Sequence, residues 1–223
     1  IAQTIQQVQR HRGLSAGVLG GVQELGSLRD AKMREADAAF AKVESRLTEG
    51  VGLLPHWKSL SNEWQKIRAD GLSWSRQDNF DAHTKLIDGL LAFESDVADD
   101  YGLTTDFGLE TFYLTYTSSD TLLGAIEHLG QIRAYGTGVL ASRRVSTMQR
   151  EELVGQITLL ENSLKPLKAS LEKASRYNPE LDESLQATYR DIELSSRQVV
   201  EAVHEEIFSG RYSMSAEEYF AKT

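Results

Sequence analysis

Two arginines stand where a helical repeat asks for apolar side chains. Ile1, Ile5, Val8, Ser15, Leu19 and Val22 recur at four-and-three spacing, which puts them on one helical face, and Arg12 fills the remaining place on it. Leu122, Ile126, Leu129, Gly136 and Leu140 repeat the spacing, with Arg133 at the equivalent place. A buried guanidinium without a partner costs several kcal/mol, to order of magnitude. Neither seam carries a carboxylate close to its arginine, so the partner is an Asp or Glu from another helix, or a bound anion. The planar fork of arginine donates two parallel hydrogen bonds and suits planar oxyanions. Small residues crowd both positions: Gly13, Ser15, Gly17, Gly20 and Gly21 at one, Gly130, Gly136 and Gly138 at the other. A glycine inside a helix costs roughly 1 kcal/mol, so such clusters imply close helix approach or room for a small ligand. On the residues alone, an anion site and tight packing with ordinary salt bridges stay open side by side.

Other chemistry is poorly supported. Gly13-Leu-Ser-Ala-Gly17 matches the spacing of a serine nucleophile turn, but that turn needs a preceding strand, and here it lies in a helical stripe. Glu201 and His204 have the spacing of a carboxylate-bridged metal bundle. Such a centre needs two such pairs and two further glutamates, and His11, His56, His83 and His128 lack the glutamate three positions before. Asp96, Asp99 and Asp100 lie at a helix end without a loop-ligand pattern. Trp57 and Trp64 share one face and read as core rather than as an aromatic cage. No catalytic residue, metal or cofactor is expected, and the chain is not expected to be an enzyme.

The elements that must position the arginines are helices. Only 3 prolines interrupt the 223 residues, and no segment alternates with period two. Trp57, Leu60, Trp64 and Ile67 form a stripe after Leu53 that Asp70-Gly71 ends; Leu86, Leu90, Phe93 and Val97 form another that Gly102 ends. Met33, Ala36, Phe40, Val43 and Leu47 precede a stop at Gly50, and 103–120 is mixed and reads as a joint. Capping boxes are predicted at Ser27–Asp30, Ser75–Asp78 and Ser146–Gln149. The last opens a run from Leu153 to Leu171 that Pro166 should kink or split. Asn178-Pro179 turns the chain into a final stripe from Leu181 to Ile207, closed by Gly210. Helices this long, joined by short turns, predict an all-α fold: an elongated antiparallel helical bundle.

Composition narrows the partners. A net charge of −9 argues against nucleic acid and against docking on anionic lipid. The absence of cysteine removes disulfides, thiol catalysis and thiolate metal sites, and fits an oxidising compartment. The chain opens in helical rhythm without an initiator Met and ends in mid-pattern, so both ends read as cut from a longer protein.

Arg12-Gly-Leu-Ser-Ala-Gly-Val-Leu19 and Arg133-Ala-Tyr-Gly-Thr-Gly-Val-Leu140 match at five residues if Ser and Gly are equated. The match is chance between small-residue helices, or a duplicated helix presenting two similar half-sites to each other. The stretch Gln9-Arg-His-Arg-Gly-Leu-Ser-Ala-Gly-Val-Leu19 resembles the opening helix of nitrate- and nitrite-sensing (NIT) domains, where an Arg-Gly-Leu-Ser core is typical. Gly130-Gln-Ile-Arg133, followed by Gly136, resembles a later helix of such sensors, and Glu218–Thr223 resembles the stretch before their returning membrane helix. His11 stands where such domains carry an acidic or polar residue. The resemblance spans most of the chain.

The resemblance implies two stacked four-helix bundles sharing long helices, in one sensor domain over 1–223. It implies a small anion, nitrate or nitrite first, held by Arg12 and Arg133; from their positions among small residues, Ser15 and the surroundings of Gly136 are expected to add hydrogen bonds. It implies a periplasmic location in a bacterial membrane receptor, with flanking transmembrane helices and a cytoplasmic output domain. A parallel homodimer is expected, with Gly13, Gly17 and Gly20 or Gly21 offering a surface for close approach. The rival readings are a helical module that binds a partner protein or acts as a spacer, and a sensor of an organic metabolite.

Overall fold

The computed structural model describes residues 1–47, 53–102, 109, 113, 114 and 117–223, the side chains of 118–120 excepted. The predicted stop at Gly50 and most of the predicted joint at 103–120 lie outside them. Eight α-helices and no strand occur among the described residues: α1 (Ala2–Leu19), α2 (Gly26–Glu44), α3 (Leu54–Asp70), α4 (Arg76–Asp100), α5 (Leu123–Ser142), α6 (Thr147–Tyr177), α7 (Asp182–Ala202) and α8 (Ala216–Lys222).

Local chemistry explains most boundaries. Ser75 accepts a hydrogen bond from the Asp78 amide at the start of α4, and Ser146 and Gln149 cap α6 reciprocally, as predicted. Helix α3 ends at Asp70, and Gly102 leaves α4 with φ of +70°. The capping box at Ser27–Asp30 does not form. Leu25, buried in the core, draws the chain into a 3-10 turn over Gln23–Leu25, and α2 begins at Gly26, before Ser27 can act as a cap. Nor does Pro166 split α6, which runs unbroken through it. Pro166 and Asn162 are both exposed, so water can satisfy the Asn162 carbonyl that loses its amide donor.

The apolar stripes fill two separate main cores. Ile5 and Val8 of α1 join Phe40 of α2, Trp57 and Trp64 of α3, and Leu86, Leu90 and Phe93 of α4. Leu14 and Val18 of α1 join Ile132 and Val139 of α5, Leu153 and Leu160 of α6, Val199 of α7, and Tyr219 of α8. A smaller cluster around Leu167, Leu171 and Tyr189 ties α6 to α7. Helix α1 therefore serves both cores and changes from one to the other between Val8 and Leu14.

That position makes α1 unlike an ordinary amphipathic helix. From Thr4 to Val18 only Gln6 and Arg10 escape full burial, because α2, α4 and α5 pack on it from different sides. Its polar residues must therefore find partners inside the protein. Gln9, His11 and Arg12 sit where α1 crosses between the cores, so the polar cluster lies at their junction.

Helices α1 and α5 run parallel and in register. Gln9 lies opposite Gly130, Gly13 opposite Ala134, and Gly20 opposite Ala141. The same offset relates Arg12 to Arg133, so the two similar segments of the sequence lie side by side with matching positions adjacent. The glycines of α1 serve this contact within the chain: a Cβ on Gly17 would come 3.0 Å from Thr137, and one on Gly20 would come 2.8 Å from Ala141.

Candidate functional site

Arg12 is fully buried and meets a carboxylate that its own seam does not contain. Its Nη1 donates to Glu127 Oε1 at 2.6 Å and its Nη2 to Glu127 Oε2 at 3.1 Å, a two-pronged ion pair from α1 to α5. Nη1 also donates to Thr84 Oγ1 on α4 at 2.9 Å, and the guanidinium lies 5.1 Å from the Phe80 ring centroid. Glu127, itself buried, accepts two further hydrogen bonds, from Gln9 Nε2 at 2.8 Å and Gln131 Nε2 at 2.9 Å. Each carboxylate oxygen thus has two donors.

Arg133 has no such carboxylate. Among the described residues no acidic side chain lies within ion-pair distance of it, and its Nε is buried without a hydrogen-bond partner. Its guanidinium sits 5.4 Å from the Phe220 ring centroid on α8. Burial, with the nearby charges of Arg10 and Arg12, pulls its pKa down to about 10, although Tyr219 and Glu127 oppose the shift. It is still a cation at neutral pH. The two arginines occupy matching positions and feel each other's charge, but they share no hydrogen-bond partner: Arg12 faces α4 and Arg133 faces α8.

The other two expected site residues have partners of their own. Ser15 Oγ accepts from Arg29 Nε at 2.9 Å, on the side of α2. Arg29 is balanced by Asp30 at 3.3 Å. Gly136 forms the seat of Tyr219, whose phenol occupies the space a Cβ would need. The Tyr219 hydroxyl donates to the Ile132 carbonyl at 3.3 Å, and Phe220 closes on Gly13. Helix α8 thereby lies across the α1–α5 seam and covers Arg133.

Beside Arg12 lies a pair of buried histidines. His83 Nδ1 is 2.7 Å from the Asn79 carbonyl, so it must be the protonated nitrogen. His83 Nε2 then accepts from His11 Nδ1 at 2.8 Å. His11 Nε2 is left as a bare acceptor without a partner, with the ring edge-on to Trp64 at 5.0 Å. Burial is the main cause that pushes both pKa values down, to about 2 for His11 and about 3 for His83, helped by His83 and Arg29 in one case and by Arg12 and Arg29 in the other. Both rings are neutral.

The charges at the junction therefore sum in a particular way. Arg12 is balanced by Glu127, Arg29 by Asp30, and the histidines are uncharged. Among the described residues, the Arg133 guanidinium is left on the register-matched seam without a carboxylate to balance it. Against this geometry, the family model for nitrate and nitrite sensing matches residues 3–222, essentially the whole chain. The chain belongs to the nitrate and nitrite sensing (NIT) family. No curated protein and no solved structure matches it. NIT is a sensor family, and the Arg-Gly-Leu-Ser segment lies on the central helix of this member.

Sequence reasoning missed Glu127, Thr84, Phe80 and the histidine pair. A signal for Glu127 was present: between 121 and 142 the only charged residues, apart from histidine, are Glu127 and Arg133. A lone carboxylate in an otherwise apolar helix needs a cation from elsewhere, and Arg12 needed an anion. The serine of Gly13–Gly17 lies inside α1, and Glu201 and His204 are both exposed.

Proposed function

We propose that this NIT domain binds nitrate or nitrite at Arg133, on the seam of α1 and α5, and that it forms the periplasmic part of a bacterial membrane receptor. The observation that carries this reading is the guanidinium of Arg133, whose Nε is buried without a hydrogen-bond partner and which, among the described residues, has no carboxylate within ion-pair distance. A cation in that position gains from any anion that reaches it, because few water molecules compete. Nitrate and nitrite are weakly hydrated and planar. They tolerate the Phe220 ring beside Arg133 better than sulfate or phosphate would. Ser15 and Gly136 support the neighbouring helices in this reading, by holding Arg29 and seating Tyr219, rather than touching the anion.

Transmission follows from what covers the site. Helix α8 contacts Arg133 through Phe220 and α5 through Tyr219, so an anion at Arg133 alters the surface on which α8 rests. In the intact receptor this displacement is passed to a flanking transmembrane helix and an output domain, in a homodimer. None of the described helices is itself long and apolar enough to cross a membrane.

The rival reading, a helical module that binds a partner protein, draws on the bond between Arg12 and Glu127, which already supplies Arg12 with an anion. Titration calorimetry with nitrate and nitrite separates the two. Wild type should bind at least one of them, and Arg133→Ala should bind at least about tenfold more weakly, the scale of one charge-assisted hydrogen bond. No binding by wild type would leave the module reading standing.

A further inference from the structure

The donors around Glu127 form a cradle for a planar oxyanion, and the protein fills it with its own carboxylate. Arg12 gives two hydrogen bonds, Gln9 one and Gln131 one, and they are divided evenly between the two oxygens. The cradle spans α1 and α5, the two helices that carry the register-matched arginines. Arg133, on the same helix as Glu127, feels the charges of both Arg12 and Glu127.

Charge counting at this junction then has a consequence. Arg12 and Arg133 carry two positive charges, and Glu127 supplies one negative charge. Of the other charged groups nearby, Arg76 has no acidic partner but is held farther along the seam by the Gly138 carbonyl and is not among the charges that act on Arg133; the rest are neutralised or screened. Arg29 pairs with Asp30. His11 and His83 are neutral. Arg10 is partly exposed and Asp88 is exposed, so solvent screens them. A site largely shielded from water favours neutrality, because uncompensated charge is costly where little solvent screens it, and the buried Nε of Arg133 lies in such a place. One negative charge completes the set.

We infer that Glu127 sets the valence of the anion this domain accepts: it holds the two-arginine seam at one uncompensated charge and so selects a monoanion over a dianion. The inference rests on the reading that an anion binds at Arg133, and adds to it the residue that decides which anions qualify. Selection by shape alone would be weak here, since the donors of an arginine fork fit nitrate, carboxylate and sulfate oxygens alike. Selection by charge needs only a fixed internal carboxylate. The four hydrogen bonds on Glu127 fix it in place.

The test compares nitrate and sulfate affinities by calorimetry. Wild type should prefer nitrate. Glu127→Gln keeps the shape of the side chain but leaves two uncompensated guanidinium groups, so its preference for nitrate over sulfate should fall by at least about tenfold, mainly through a gain in sulfate binding. The double variant Glu127→Gln with Arg12→Gln returns the seam to one charge and should recover the wild-type preference. Because Glu127→Gln bares a buried cation and can fail to fold, Thr84→Asp gives a second approach from a partly exposed position. It adds a carboxylate beside Arg12 rather than beside Glu127, brings the seam to neutrality, and should abolish nitrate binding while circular dichroism stays helical. Nitrate binding by wild type with an unchanged nitrate-to-sulfate ratio in Glu127→Gln, or undiminished nitrate binding in folded Thr84→Asp, overturns the inference and leaves the Arg133 reading intact. Nitrate and nitrite binding absent from wild type and every variant overturns both.

Discussion

Removing the Arg12 guanidinium strands Glu127 in the interior with only the Gln9 and Gln131 amides to satisfy it. Arg12→Ala should therefore destabilise the domain by about 3–5 kcal/mol, the range for breaking a buried ion pair from one side. Arg133→Ala breaks no ion pair and should change stability by much less, while it weakens anion binding. Urea denaturation of the two variants separates these cases, and equal destabilisation would contradict the assignment of different roles. The sequence marked both arginines as misfits on apolar seams. It did not distinguish them, because the distinction depends on a carboxylate more than a hundred positions away from Arg12 and on which side of α5 it faces. The His11–His83 pair was likewise hidden: each ring is unremarkable in its own helix, and only the packing of α1 on α4 brings them together. That pair makes a prediction about pH. Both folded pKa values, about 2 and about 3, lie below the ordinary 6.5 of histidine. Above pH 6.5 the rings are neutral in both states and the pair carries no pH dependence. Below it the unfolded chain takes up protons that the folded pair refuses, so stability falls as pH falls towards the folded values. Each group loses about 1.4 kcal/mol per pH unit, so the pair accounts for about 5 kcal/mol between pH 6.5 and 4.5. Replacing both residues by glutamine should flatten the denaturation midpoint over that range. A profile as steep as wild type would show that the rings do not stay neutral in the fold.

Among the elements, helix existence and most ends were legible, because capping serines, Gly102 and Asp70-Gly71 act through bonds within a few residues. The exceptions were decided by each segment's surroundings: Leu25 entering the core started α2 early, and the exposure of Asn162 let α6 pass Pro166. The pairing of α1 with α5 was half legible. Their similarity showed in the sequence, whereas their parallel registration follows from small residues allowing the backbones to approach. Of the glycines expected to offer a surface between subunits, Gly13, Gly17 and Gly20 are covered within the chain by α5, Leu25 and Phe220, whereas Gly21, the alternative to Gly20, has open space beside it. The short helix α8 depends on one glycine seat. Gly136→Ala places a methyl group where the Tyr219 phenol lies. It should cost about 1–3 kcal/mol by overpacking and release α8 before the rest of the fold. Hydrogen exchange over 216–222 should then speed up while α6 and α7 keep their protection. Protection of α8 equal to wild type would mean that Tyr219 does not anchor it.

The whole molecule is organised around one helix that belongs to two cores. An interior helix of mixed polarity is unfavourable unless its polar groups meet one another, and the crossing point between the cores is where Gln9, His11 and Arg12 do so. This placement links a change of charge at the seam to the packing of both halves, and α8, lying on the same seam, is the element exposed to its outcome. The all-α class followed from periodicity and a division into two bundles from the resemblance, but which residues fill each core could be drawn only once it was known that α1 faces both. If the unpaired guanidinium of Arg133 is the anion seat, a crystal structure of the domain grown with nitrate should show a planar anion within hydrogen-bond distance of it, beneath α8. Well-ordered nitrate bound elsewhere, with Arg133 still bare against Phe220, would contradict it.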